Sequence, residues 1–130
     1  MIHMATATSR RYLTPAEAVE QSGFSLDTLR YYERIGLLGP VDRAPSGHRR
    51  FTPEDLDWLA VLRCLRDTGM PIAEMRCYAQ LVREGRADSI AARIALLERH
   101  DAEVEAQIVQ LREQQRHLRE KIGYYRSVVA

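Results

Sequence analysis

Cysteine and long apolar runs are scarce in this sequence, and each shortage excludes a class of protein. The 130 residues include two cysteines, and residues 1–11 lack the apolar stretch of a signal peptide. We therefore expect a reducing cytoplasm and no disulfide framework. No apolar run approaches the roughly 20 residues that a membrane-spanning helix needs. We predict a cytoplasmic protein without a membrane partner, and we interpret residues 1–11 as a disordered leader.

The sequence also lacks the groupings that catalysis and metal binding require. Its four histidines are scattered, and it contains no Ser/His/Asp order, phosphate-binding loop or HExxH motif. Because an active site needs groups that converge, we predict that the protein is not an enzyme. Cys64 and Cys77 lack the close spacing of metal ligands, so neither a metal nor another cofactor is expected.

Lysine is almost absent, and the net charge is small. Lys121 is the one lysine among nineteen basic residues, and the net charge of +1 does not by itself indicate nucleic acid. Residues 1–52 hold a mild excess, with seven arginines against five acidic residues. Arginine can bind phosphate or guanine through two N–H groups at once, but a GC-rich genome would produce the same preference. We treat the arginine bias as neutral.

Two short helices joined by a glycine-containing turn are predicted near the start of the chain. The string Thr14-Pro15-Ala16-Glu17 fits a capping box, Ser22-Gly23 ends this helix, and Ser25 is a good cap for the next. The apolar residues of the second helix share one face: Leu26, Leu29 and Leu37. Its other face is mainly charged or aromatic: Asp27, Arg30, Tyr31 and Arg34. This pattern indicates a helix-turn-helix whose second helix suits a DNA groove.

A wing and two further helices are predicted after the helix-turn-helix. Segments 39–41 and 49–51 are expected to pair as short strands around the loop 42–48, which carries the basic string SGHRR. A third helix follows from the capping signal at Thr52-Pro53 to about Thr68. Because it is apolar on most sides, we expect more than one neighbour to cover it. Pro71 begins a fourth helix, which Gly85 ends.

The last segment carries a heptad repeat. Positions spaced alternately four and three residues apart run over five heptads, and nine of the eleven are apolar, which predicts a coiled coil. Asp101 and Gln115 interrupt the apolar series. A second copy of the chain is the expected partner; the alternative is that this helix folds back on its own domain. The predicted dimerisation residues are Ile90, Ile94, Leu97, Val104, Ile108, Leu111, Leu118, Ile122 and Tyr125.

Three strings follow this order of elements: TLRYYERIGLL, SGHRRF and DLDWLAVLRCLRDTGMPIAEM. On these strings, residues 12–127 resemble the MerR family of bacterial transcription regulators. The resemblance implies an all-α fold with a small β wing. Its parts would be a winged helix-turn-helix domain over 12–69, a linker helix over 70–87 and a dimerisation helix over 88–130. Two such helices would form an antiparallel coiled coil in a homodimer.

The function implied by the resemblance is control of transcription. Each protomer would read one half of a near-palindromic promoter, and an effector would cause the dimer to bend and untwist an overlong spacer. The expected partners are double-stranded promoter DNA, a second copy of the chain and RNA polymerase. The rival from another class is a coiled-coil adaptor whose winged domain binds protein, and the wing arginines speak against it.

Positions matched to the family motif imply roles for individual side chains. Arg30 would contact phosphate and Arg49 would clamp the DNA backbone. Asp27, with Tyr31 or Tyr32, would lie on the groove side. A carboxylate repels phosphate, so Asp27 is unexpected there unless it accepts from cytosine N4 or lies at the rim. The full predicted DNA-binding set is Thr14, Ser25, Asp27, Thr28, Arg30, Tyr31, Tyr32, Arg43, His48, Arg49 and Arg50.

Plainer interpretations accompany these roles. Arg30 can be a solvated helix charge, and at least one ring of the tyrosine pair can belong to the core. Glu33 is expected to pair with a nearby arginine and not to touch DNA. His48 stands where the family usually has tyrosine, which changes the contact expected at the wing tip.

Cys64 is the candidate sensor. It occupies the position of the lone cysteine in the branch of the family that resembles aldehyde- and nitrosative-stress regulators, and Arg63 and Arg66 would favour a reactive thiolate. The alternative is that Cys64 packs as a small apolar residue. Cys77 is expected to fill a position in its helix and not to act as a sensor. A second option is an apolar or aromatic ligand between the third and fourth helices and the partner's coil. Its candidate lining residues are Trp58, Met75, Tyr78 and Tyr124 or Tyr125.

Overall fold

The computed structural model describes residues 11–130, and this part of the chain is mostly helical. Its helices are α1 (Pro15–Ser22), α2 (Leu26–Arg34), α3 (Pro53–Asp67), α4 (Ile72–Glu84) and α5 (Ala87–Val129). Two isolated antiparallel bridges join Leu13 to Phe51 and Arg43 to Arg49. The expected helical fold with little strand is confirmed. Residues 1–10 of the predicted leader lie outside the described part of the chain.

The first three helices begin with side-chain caps at their predicted starts. The Thr14 hydroxyl accepts from the Glu17 N–H at 3.1 Å, and the Glu17 carboxylate accepts from the Thr14 N–H at 2.9 Å. Thr52 and Asp55 form the same reciprocal pair at the start of α3. The Ser25 hydroxyl accepts from the Thr28 N–H at 3.1 Å. Each cap satisfies an N–H that the first helical turn leaves unpaired, which contributes about 1 kcal/mol.

The chain divides into two units, and the boundary falls inside α4, after Gln80. In the first unit, α1 packs against α2 and α3. Its core side chains come from the helices and from the segments that join them, and the largest of them are completely buried. They are Phe24, Leu29, Leu37, Leu38, Phe51, Leu59, Leu62 and Met75.

The predicted strand pairing in the wing is wrong. Residues 42–44 pair with residues 48–50, instead of 39–41 with 49–51. Arg50 N–H donates to the Asp42 carbonyl at 2.9 Å, and Ala44 N–H donates to the His48 carbonyl at 2.8 Å. Phe51 instead exchanges two backbone hydrogen bonds with Leu13, at 2.7 and 2.8 Å. Segment 39–41 is a poor strand because Pro40 has no N–H to donate.

Helix α2 is shorter than its apolar spacing suggested. It ends at Arg34, and Gly36 adopts a left-handed conformation at φ +84°. Leu37 and Leu38 N–H then both donate to the Tyr32 carbonyl, which closes the end of the helix. Leu37 is buried as expected, but it lies beyond the helix and not on its face.

The apolar residues of α3 had suggested that neighbours cover most of its sides. The structure instead buries the helix along one stripe. Leu59, Leu62 and Leu65 are buried, whereas Val61 is 38% exposed and Cys64 is exposed. The physical reason is the 3.6-residue period, which turns Val61 and Cys64 away from the stripe.

The second unit contains residues 81–130 and is dominated by α5. Near the start of α5, Arg93 Nη2 donates to the carbonyls of Leu81 at 3.2 Å and Val82 at 3.5 Å. These bonds satisfy carbonyls at the end of α4. Leu96 and His100 are buried, although neither belongs to the predicted heptad series. The sequence did not reveal this face because it is short and includes a histidine.

The predicted heptad series is largely exposed. Leu111 is 69% exposed and Leu118 is 66% exposed, and every residue from 105 to 130 is exposed. Within the second unit, residues 81–130, no described residue covers the apolar series beyond Val104. Despite the length of α5, no helix within residues 11–130 has a stretch apolar enough to span a membrane.

Gly23, between α1 and α2, occupies a position that excludes a side chain. Its φ is +78°, and an added Cβ would lie 1.8 Å from Arg63 Nη1. Gly23→Ala should therefore lower the free energy of unfolding by about 1–2 kcal/mol from backbone strain alone, with a further loss from displacing Arg63. Urea unfolding measures this change. Gly39→Ala is the matched control, because its added Cβ meets no atom within 4 Å; equal losses in both variants would contradict the argument.

Candidate nucleic-acid interface

One face of α2 belongs to the core and the other to solvent. Leu29 is 1% exposed, while the Arg30 and Asp27 side chains are 51% and 94% exposed and lie 3.6 Å apart. Such an exposed ion pair contributes little, so Arg30 can exchange Asp27 for a phosphate at low cost. Asp27 also lies in the first turn of α2, where the helix dipole favours a carboxylate. Helix formation thus accounts for Asp27 without any DNA contact.

The two adjacent tyrosines have different environments. Tyr32 is 4% exposed and meets the Phe24 ring edge-on with centroids 5.2 Å apart, and its burial raises the pKa of the hydroxyl. Tyr32 therefore packs in the core, and the prediction that it contacts DNA is wrong. Tyr31 is 40% exposed, with the Arg34 guanidinium 5.3 Å from its ring centroid. It is the tyrosine of this pair that faces solvent.

The wing tip exposes two of the predicted contact residues. Arg43 and His48 are both exposed. Arg43 Nη1 donates to the Gly47 carbonyl at 3.3 Å, and the Ser46 hydroxyl lies 3.0 Å from His48 Nδ1. These local bonds hold the tip in a tight turn at Gly47, whose φ is +91°.

Arg50 is held against the side of the wing. Its guanidinium lies 4.0 Å from the Tyr12 ring centroid, and its Nε donates to Asp42 at 3.1 Å. The Arg43 backbone N–H, the Tyr12 hydroxyl and Arg50 together lower the pKa of Asp42. The structure thus gives Arg50 a structural role that the sequence did not indicate.

Glu33 links α2 to the wing. Its carboxylate accepts from Arg49 Nε at 2.8 Å and from the Val41 N–H at 2.9 Å. Burial by itself would raise the pKa of Glu33, but these two hydrogen bonds and the positive charges of Arg49 and Arg43 outweigh it and lower the pKa. The expectation that Glu33 pairs with a nearby arginine is confirmed. Arg49 uses only one of its guanidinium donors in this bond.

Two arginines of α3 support the turn between α1 and α2, a role that the sequence did not indicate. Arg63 Nη1 donates to the Ser22 carbonyl at 3.2 Å, and the Arg66 guanidinium lies 4.5 Å from the Phe24 ring centroid. Asp67 pairs with both arginines, at 3.3 and 3.0 Å. These bonds, first with Arg66 and then with Arg63, lower the pKa of Asp67. The four-residue spacing of Arg63 and Asp67 was a visible signal, but it does not show what the arginine touches.

Cys64 and Cys77 are both exposed free thiols. The alternative in which Cys64 packs as a small apolar core residue is therefore wrong for the part of the chain that the structure describes. The expected neighbours of the thiol, Arg63 and Arg66, are both bound to Asp67. The Cys64 carbonyl accepts from the Thr68 hydroxyl at 2.7 Å, which closes the end of α3.

The aromatic residues proposed to line a ligand pocket pack on each other. Trp58 and Tyr78 stack with centroids 5.8 Å apart, and Trp58 Nε1 donates to the Leu37 carbonyl at 2.7 Å. Met75 is 1% exposed. Tyr124 and Tyr125, in the other unit, are 59% and 60% exposed. Within residues 11–130, no three His, Cys, Asp or Glu side chains gather closely enough to hold a metal ion.

The sequence matches two family descriptions that overlap along the chain. Residues 13–81 match the "MerR HTH family regulatory protein" description, and residues 56–121 match the description "MerR, DNA binding". The first match covers the two short helices, the wing, α3 and most of α4. The second extends from α3 into the exposed part of α5.

Individual relatives give the same picture. An HTH-type transcriptional regulator from Haemophilus influenzae is 38% identical over 117 residues, which are 90% of this chain and 86% of the relative. The regulator AdhR from Bacillus subtilis is 41% identical over 70 residues, 54% of this chain and 50% of AdhR. A crystal structure of HiNmlR, described as a MerR family regulator lacking the sensor domain and bound to promoter DNA, superposes with a TM-score of 0.81. That match is 38% identical and covers 90% of this chain and 92% of HiNmlR.

Proposed function

The chain belongs to the MerR family of DNA-binding transcription regulators, and from this premise we propose that it works as a homodimer on a near-palindromic promoter. The observation that carries the proposal is the exposed, arginine-bearing face of α2 beside a wing that carries further arginines in the same unit. Relatives in this family are regulators and not enzymes. An adaptor that binds protein would not need such a face.

The DNA contacts divide between groove and backbone. Arg30 and Tyr31 are the exposed α2 residues that would enter the major groove or meet its edge, while Arg43 and Arg49 would donate to phosphates from the wing. Thr14 and Ser25 serve as helix caps, so they would act by presenting helix N-termini to phosphate. Thr28 supports Ser25 through a 2.9 Å hydroxyl contact.

A second copy of the chain is the proposed cover for α5. Beyond Val104 the heptad series is exposed, and no described residue of the second unit covers it; a coiled coil buries such an apolar series. Two-fold pairing would place one DNA-binding unit on each half-site. Contacts on both sides of a spacer can supply the energy needed to bend and untwist it, which would present the promoter to RNA polymerase in the cytoplasm.

Cys64 is the proposed sensor of an electrophile. Its exposure on α3 favours a reaction with solutes over a packing role. It lies between Arg63 and Arg66, which support the turn before α2, so a group added to the thiol would stand next to contacts that position α2. The alternative, an apolar or aromatic ligand, would have to separate the stacked Trp58 and Tyr78.

Arg30→Ala tests the DNA contact. We expect binding to DNA from upstream of the protein's own gene to weaken about tenfold or more, because a charge-assisted bond to phosphate is lost. The slope of log K against log salt should fall by about 0.9 for each phosphate contact removed. Arg99→Ala, on α5 outside the heptad series, is the control and should change neither quantity. Identical salt slopes for both variants would refute this interface.

Leu111→Glu tests the dimer. A carboxylate placed in the heptad series would remain buried and unpaired in a coiled coil, so we expect a monomer with much weaker DNA binding in sedimentation and binding assays. Ala106→Glu inserts the same charge on an exposed part of α5 outside the heptad series and should remain dimeric. A dimeric Leu111→Glu variant would exclude this series as the interface.

Cys64→Ser tests the sensor. The variant should bind DNA as the native protein does but lose the change in promoter footprint that an aldehyde or oxidant produces. Cys77→Ser, which removes the other exposed thiol, should keep the response. If Cys64→Ser still responds, the thiol is not the sensor and the ligand alternative gains support.

A further inference from the structure

Glu33 is the point at which α2 and the wing are joined by charge. We infer that Glu33 is a positioning residue, which sets the wing relative to α2 so that Arg49 reaches the DNA backbone while α2 occupies the groove. This inference rests on the proposed DNA contacts and adds a residue that does not itself touch DNA.

The two oxygens of Glu33 hold the two legs of the wing separately. One oxygen accepts from the Val41 N–H, on the leg that leaves α2, at 2.9 Å. The other accepts from Arg49 Nε, on the returning leg, at 2.8 Å. A single carboxylate thus fixes both legs to the last turns of α2, eight and sixteen residues away along the chain.

The other bonds of the wing serve different purposes. The bridge between Arg43 and Arg49 and the ion pair between Arg50 and Asp42 close the hairpin on itself. The pairing of Phe51 with Leu13 ties its base to the segment before α1. Glu33 adds the link to α2, which is the element that must enter the groove at the same time as the wing meets the backbone.

The environment of the pair makes its geometry well defined. The side chains of Glu33 and Arg49 are 17% and 22% exposed, so solvent screens them much less than the exposed pair of Arg30 and Asp27. The bond uses Nε of Arg49, and the fork-shaped guanidinium keeps its terminal N–H groups for a second acceptor. A carboxylate that holds one edge of the fork therefore directs the other edge.

The positioning role and simple electrostatics predict opposite effects. Removing a negative charge from a DNA-binding unit would ordinarily strengthen attraction to phosphate. If Glu33 positions the wing, removing its charge should weaken binding instead, because Arg49 loses its fixed direction. The sign of the change in affinity separates the two explanations.

The experiment compares Glu33→Gln, Arg49→Ala, the double variant and the control Glu20→Gln in full-length protein on the same upstream DNA across a range of salt. Glu33→Gln should weaken binding about tenfold and lower the salt slope by about 0.9 per contact, as Arg49→Ala does. The double variant should be no weaker than Arg49→Ala alone, since both changes remove the same contact. Glu20→Gln, an exposed carboxylate on α1, should bind at least as tightly as the native protein.

Two results would overturn the inference. One is that Glu33→Gln binds as tightly as Glu20→Gln; the other is that the effects of Glu33→Gln and Arg49→Ala simply add. Should Glu33→Gln fail to fold, Glu33→Asp keeps the charge but shortens its reach, and the same weakening and the same non-additivity with Arg49→Ala are expected. An Arg49→Ala variant with native affinity and slope would instead refute the Arg49 contact of the proposed function.

Discussion

Helix α2 has nine residues, which is too short for a helix to be stable alone in water. Contacts with the rest of the first unit therefore stabilise α2. Its N-terminus is capped by Ser25, its inner face is buried through Leu29 and Tyr32, and Phe24 meets Tyr32 edge-on. Because these contacts occupy one side of the helix, the other side is left to solvent. The surface that can meet DNA is thus a consequence of how the helix is stabilised.

The supports around α2 come from both directions along the chain. On the side of α3, Asp67 organises Arg63 and Arg66 against the turn that precedes α2. On the side of the wing, Glu33 holds Arg49 and the Val41 N–H. In both cases a carboxylate restricts arginine side chains that would otherwise sample many rotamers. The small net charge of the chain is consistent with this pairing, since several arginines are matched by a neighbouring carboxylate.

The second unit is dominated by α5, most of whose apolar series is exposed. Helix α5 buries Leu96 and His100 near its start and leaves an apolar series exposed along the rest of its length. A long helix with an uncovered apolar stripe is unfavourable in water, because the exposed area keeps its hydration cost. The proposed pairing of two chains would remove that cost and would also set the separation of two DNA-binding units, so the same apolar series would serve both stability and function.

The sequence by itself determined the helix starts, the heptad series and the family motifs, because a helix cap or a helical period depends on residues only a few positions apart. It could not decide which tyrosine is buried or how the segments of the wing pair. Those outcomes depend on partners in other parts of the chain: Tyr32 packs on Phe24, which precedes α2, and Phe51 pairs with Leu13, which precedes α1. A local pattern shows that a side chain can pair, but only the tertiary structure selects its partner among many of equal chemistry.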